Sequence, residues 1–183
     1  MTAGDDGLAA RLSVVVDDIA FFSGDAIARP VTAELGATTP LGRRLELAAL
    51  DGERGERLAS QLRPTEPLDV GSAVVTGAGA LPVELLVHAV VQSVSERVTR
   101  DGVARATASA LQRAAAFEVR HLAAPPFGTG AGNLDAEDSA QTMVEVIARH
   151  LARSPFPERV TLVVESDLER EAFASRIAWV ASR

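Results

Sequence analysis

The sequence predicts a three-layer α/β/α fold with a central mixed sheet, and three observations carry that expectation. Short β-branched runs such as LSVVV (12–16), SAVVT (72–76) and VTLVV (160–164) have the length and composition of strands. From Asp101 onward such runs alternate with segments whose apolar residues recur at three- and four-residue spacing, the period of a helix buried on one face. The loop GAGALP (77–82) joins two strand-like runs, and a hairpin or a short excursion is its favoured reading. Alternating strands and helices imply parallel pairs with helices on both faces.

The elements follow in order. Residues 12–16 read as a buried strand ending at Asp17-Asp18. Residues 25–31 (DAIARPV) follow a turn at Phe21 to Gly24. Pro30 makes this piece a strand end or an edge, because proline cannot donate to a ladder. Thr38-Thr39-Pro40 is a helix start, a threonine cap followed by proline at the first helical position. The helical pattern from Leu41 to Leu62 is interrupted by Gly42, Gly52 and Gly55, so two helices meeting near Asp51-Gly52 are expected. Strands over 72–76 and 84–91 come next, then a helix from about Asp101 through Phe117. Residues 119–124 read as a strand feeding PPFGTGAGNL (125–134). Asp135 caps a helix whose apolar face is Met143, Val146, Ile147 and Leu151. A buried strand at 160–164 and a helix from Asp167 complete the chain.

Composition narrows the function. A chain of 183 residues, 47% apolar, is expected to form one domain over 1–183, with its core at about 12–180. No apolar run approaches a membrane span, and the start MTAGDDGLAARL lacks the regions of a signal peptide, so a cytoplasmic protein with no membrane partner is expected. With no cysteine, thiolate nucleophiles and Cys-ligated zinc are excluded. All 18 basic residues are arginine, which excludes a Schiff-base or P-loop lysine; with abundant Ala and Gly this is a bacterial-like composition. A net charge of −7 argues against general nucleic-acid binding, which needs a basic face to release counterions. No metal motif and no cofactor fingerprint is present, so neither is expected.

Chemically, the loop at 125–134 stands out because it lies between a strand and a helix, where open α/β sheets bind ligands. Glycines 128, 130 and 132 allow positive φ and exposed N–H groups, and a following helix start favours anions. The spacing matches neither the P-loop nor the dinucleotide fingerprint, so a phosphate cradle and a plain turn stand level on these grounds. Asp17-Asp18 is either a solvated strand end or a carboxylate that accepts hydrogen bonds from an amine. His88, His121 and His150 share no ligand spacing and read as structural. No G-x-S-x-G elbow surrounds any serine.

Two stretches resemble the macro domain, the ADP-ribose-binding module: PLDVGSAVVTGAGALPVELLVHAVV (67–91) and AAPPFGTGAGNLDAEDSAQTMVEVI (123–147). The resemblance runs from about Leu12 to Trp179 and implies a macro-domain-like fold. It implies that Asp18, in VDDIAFF, contacts the adenine amino group. It also implies that Gly128, Thr129, Gly130, Ala131, Gly132 and Asn133 hold the phosphates and distal ribose.

The chain departs from the family where N-A-A-N is usual, since Arg29, Pro30, Val31 and Thr32 stand there. In place of a G-G-G stretch it has only Gly36 and Gly42, and Glu165-Ser166 stand where an aromatic often stacks on adenine. Arg29, Thr32 and Gly36 are further ligand-site candidates, with Arg29, Arg43 or Arg44 able to fork onto phosphate in place of the lost amides. A solvated arginine is the alternative for each.

No catalytic residue is assigned, because the elements that position the distal ribose and its attacking water in hydrolytic members are missing. The expected function is a non-catalytic binding module for ADP-ribose or a related nucleotide diphosphate. The alternatives are a degenerate macro fold acting as a scaffold or protein-interaction domain, and lastly an ADP-ribosyl or O-acetyl-ADP-ribose hydrolase.

Overall fold

The computed structural model describes residues 5–130 and 133–183. Strands β1 (Leu12–Val16), β2 (Ala26–Thr32), β3 (Ala73–Gly77), β4 (Leu85–Gln92), β5 (His121–Ala124) and β6 (Arg159–Val164) form one sheet in the order β1-β6-β5-β2-β4-β3. Every neighbouring pair is parallel except β3 with β4. The sheet is therefore mixed, and its antiparallel pair is the hairpin at GAGALP.

Alternate residues of the central strands face opposite layers, as the pleat requires. On one side Ala26, Ala28, Val87, Ala89 and Val91 pack with α4 (Arg100–Ala116), α5 (Ala136–Leu151) and α6 (Asp167–Ala181). On the other, Ile27, Leu86, Ala123 and Val163 pack with Leu45 and Ala49 of α2 (Pro40–Ala49) and Leu58 of α3 (Gly52–Gln61). A short helix, α1 (Asp5–Arg11), precedes β1 and was not expected from the sequence.

Two caps are those the sequence implies: Thr39 accepts from the N–H of Gly42, and Asp135 from that of Asp138. Helix α4 is capped by Thr99, which accepts from Gly102 N–H two residues before the expected start at Asp101. Each satisfies one of the donors that a helix start leaves orphaned.

Two expectations are corrected. Residues 12–16 form an edge strand rather than a buried one, with Val15 and Val16 exposed, because β6 is their only partner strand among the described residues. Residues 26–32 form a central strand, not an edge. Pro30 is tolerated there because β5 pairs with β2 only at Ala26 and Ile27. Beyond that point the β5 side of β2 carries no ladder, and the Pro30 carbonyl instead accepts from Thr38 Oγ1 at 3.4 Å.

Candidate functional site

The loop after β5 is built from the inside out. Phe127 is buried, its N–H directed at Met143 Sδ (3.0 Å) and its carbonyl accepting from the buried Ser139 hydroxyl (2.8 Å). Gly128 has φ +77°, and a Cβ there would meet Val103 Cγ2 at 2.6 Å, so the core fixes this residue as glycine. The chain then doubles back: Leu134 N–H donates to Gly128 O and Asn133 N–H to Gly130 O. Among the described residues no acceptor meets the Thr129 N–H or hydroxyl. Ala131 and Gly132 lie outside the described residues.

This loop forms one wall of a cleft of 230 Å³ at the carboxyl ends of β5 and β6, to which it contributes Pro126, Thr129 and Gly130. The facing wall is the start of α2, with Thr39, Pro40 and Leu41. Pro40 has no N–H, Gly42 N–H is capped by Thr39, and Leu41 N–H has no acceptor among the described residues. Val163, Glu165 and Glu169 line the third side. Glu169 is committed to capping α6, since its Oε2 accepts from Glu165 N–H (2.9 Å) and Ser166 Oγ (3.3 Å). Glu165 pairs with Arg44 of α2, which links α2 to the end of β6.

Asp18 follows β1 in the layer beside this cleft. It is exposed, and its Oδ1 accepts from Ala20 N–H at 3.0 Å at the start of a short 3-10 turn, Ile19–Phe21. Asp17 N–H donates to Val164 O, which holds this acidic turn against the end of β6.

Arg29 is neither solvated nor a lining residue of the cleft. It is 1% exposed, and its guanidinium is fully engaged within the protein. Nε donates to His88 Nδ1 (2.9 Å), one terminal nitrogen to Glu46 (2.7 Å) and the other to Leu35 O (2.9 Å). Burial lowers its pKa, and the Glu46 carboxylate opposes that shift. The Thr32 hydroxyl is likewise used locally, accepting from Gly36 N–H at 3.2 Å, while Gly36 O accepts from Thr32 N–H. Thr32 and Gly36 thus close a tight turn on each other. Arg43 is exposed on α2.

The cleft also recruits residues the sequence did not nominate. Thr39 was legible only as a helix cap. Val163 and Glu165 follow from β6 lying beside β5, which spacing along the chain does not reveal. Among the described residues no cluster of His, Cys, Asp and Glu could hold a metal, and no helix is long and apolar enough to cross a membrane.

Comparison with known proteins places the chain. The family model described as Macro domain matches residues 48–143, more than half of it. An uncharacterized protein of Mycobacterium tuberculosis is 32% identical over 130 residues, 71% of this chain. The chain spans only 36% of that relative's length. An O-acetyl-ADP-ribose deacetylase of Enterobacter sp. (strain 638) is 35% identical over 95 residues, 51% of this chain and 53% of that protein.

Among solved structures, a mutant Oceanobacillus iheyensis macrodomain with ADPR superposes at TM-score 0.80, with 18% identity and 94% of both chains covered. The Trypanosoma brucei macrodomain in complex with ADP-ribose gives 0.79, with 15% identity, 93% of this chain and 70% of that one. These likenesses agree with the mixed sheet and its two helical layers, and the chain belongs to the macro domain family.

Proposed function

We propose that the chain is a binding module for ADP-ribose or a related nucleoside diphosphate and carries out no reaction on it. The observation that carries this reading is the pairing of two donor-rich backbone segments across the cleft. The Thr129 N–H and hydroxyl, which meet no acceptor among the described residues, lie across the cleft from the start of α2, where Leu41 N–H likewise meets none among them. Helix starts and glycine loops of this kind attract phosphate through partial positive charge and convergent N–H groups. Gly128, Thr129, Gly130 and Asn133 form the phosphate side of the proposed site, with Ala131 and Gly132 between them. Asp18, beyond the end of β6, accepts from the adenine amino group. Solved macrodomains bound to ADP-ribose and ADP support the ligand class.

At the position of the first family asparagine, Arg29 is turned inward and fully bonded, so it orients no water in the cleft. Of the two carboxylates that line the cleft, Glu169 accepts at the α6 cap and Glu165 pairs with Arg44, and we assign neither as a general base. Titration calorimetry with ADP and ADP-ribose tests the reading. Heat of binding is expected for the chain, and Gly130→Glu, which fills and charges the cradle, is expected to remove it. Silence toward both ligands at millimolar concentration, or turnover of O-acetyl-ADP-ribose, overturns it.

A further inference from the structure

We infer that the chain associates with a second copy of itself by pairing the free edges of the two β1 strands, antiparallel about a twofold axis at Val14. This association does not depend on the nucleotide reading above. Asp17 N–H donates to Val164 O, and β1 runs parallel to β6 in the register Val16↔Val164. Backbone groups of successive strand residues point to opposite sides. Ser13, Val15 and Asp17 therefore bond to β6, while the N–H and C=O of Val14 and Val16 point away from it. Among the described residues nothing accepts from or donates to those outward groups.

The opposite edge of the sheet is covered. Around β3, Gly71 O accepts from Ser109 Oγ (2.6 Å), Ala73 O from Arg113 Nε (3.0 Å) and Gly77 O from Thr76 Oγ1 (2.8 Å). β1 lacks such cover among the described residues, and it lacks the other devices that blunt an edge. LSVVV carries no charge and no proline, and its register with β6 runs without a bulge. Val15 and Val16 stand 39% and 45% exposed on it. An apolar, β-branched edge with free backbone groups is a template for another strand.

The same strand reversed fits that template. With the axis at Val14, Val14 exchanges both backbone bonds with its counterpart and Val16 lies opposite Leu12, so outward-facing residues meet one another. The strand ends are complementary in charge. Asp17, whose Oδ1 accepts only from Asp18 N–H among the described residues, comes level with Arg11 of the second copy. The Arg11 guanidinium donates to backbone carbonyls alone, so its charge has no carboxylate partner among the described residues. A parallel arrangement would instead set like charges side by side.

The 5 residues of each β1 fall well short of the roughly 20–30 a side of a standard interface, so the dimer is expected to dissociate on dilution. Sedimentation velocity on the full chain is expected to show monomer at about 5 µM and mostly dimer at about 1 mM. Amide exchange at Val14 and Val16 is expected to slow over the same range. Val14→Pro removes an N–H that β6 does not use, and is expected to weaken dimerisation about tenfold while unfolding of the dilute protein stays cooperative. Asp17→Arg, an exposed change that keeps the test open if the proline variant does not fold, sets cations level with Arg11 and is expected to weaken it about threefold. A chain that stays monomeric at the higher concentration overturns the inference. So does a dimer whose Val14 and Val16 amides exchange as fast as in the monomer, or one that either folded variant leaves at full strength.

Discussion

Arg29 Nε donates to His88 Nδ1 at 2.9 Å, joining two adjacent central strands through side chains that are 1% and 0% exposed. An acceptor at Nδ1 requires the proton of the neutral ring at Nε2, which then donates to Thr76 Oγ1 at 2.7 Å, while Thr76 passes its own hydrogen to Gly77 O at 2.8 Å. Three strands and α2 are thereby coupled through one polar chain in which each Arg29 nitrogen, the His88 ring and the Thr76 hydroxyl has a partner. Such a network stabilises only while complete.

The first prediction concerns pH. Burial, reinforced by the Arg29 charge, lowers the His88 pKa to about 3 from its ordinary 6.5. Between those values the unfolded chain binds a proton that the folded chain refuses, so stability is full above pH 6.5 and declines as pH falls toward 3. His121 is also lowered, mainly by burial and then by Arg159, with Asp25 opposing, and it acts in the same direction. Urea unfolding at pH 7.5, 6 and 5 is expected to show stability falling with pH. His88→Gln should flatten that slope by up to about 1.4 kcal/mol per pH unit.

The second concerns Arg29 itself. Arg29→Met leaves the Glu46 carboxylate, whose side chain is 27% exposed, and the Leu35 carbonyl without their donor. An expected loss of about 3–5 kcal/mol follows from stranding a largely buried charge. Arg29→Lys should rescue little of it, because a single ammonium cannot span the three divergent acceptors that the guanidinium fork reaches. Thermal unfolding of the two variants checks this.

Arg11 provides a third test. At the junction of α1 and β1, its guanidinium donates to the carbonyls of Leu151 (2.6 Å), Pro157 (2.8 Å), Ser154 (3.0 Å), Glu158 (3.0 Å) and Pro155 (3.2 Å). One side chain thus satisfies the turn between α5 and β6. Arg11→Ala is expected to cost roughly 2–3 kcal/mol. Amide hydrogen exchange should rise over residues 151–158 before the core strands respond.

A fourth prediction falls on the hairpin loop. Gly79 has φ +61°, and a Cβ there would lie 2.0 Å from Ala49 O, the carbonyl that accepts from Ala80 N–H at 2.9 Å. Gly79→Ala must push the β3–β4 loop away from the end of α2 and break that bond. A loss of about 2–4 kcal/mol is expected from the denaturant midpoint.

Much of the fold was legible in the sequence because local signals and tertiary structure agree. Thr39-Pro40 starts α2, the glycine at 52 marks the break before α3, and Asp135 caps α5. These features depend on residues within one turn of each other, so spacing along the chain captures them. The loop at 128–130 was also legible, since Gly128 must be glycine both for its φ and for its contact with Val103.

What the sequence alone determined, then, was the six strands, the helices after α1 and the mixed three-layer architecture. Strand order was decided only in three dimensions: Leu12–Val16 became an edge and Ala26–Thr32 a centre. Local composition encodes a strand but not its neighbours, and Pro30 is tolerated only because β5 ends before reaching it. The fate of Arg29 was decided the same way, since a guanidinium 17 residues from Glu46 and 59 from His88 meets both only after the strands and α2 pack. The distance between Thr39 and Gly130 is likewise a property of two elements far apart in sequence. It is set by how α2 and the β5–α5 loop lie on the sheet, which no pattern within either segment can report.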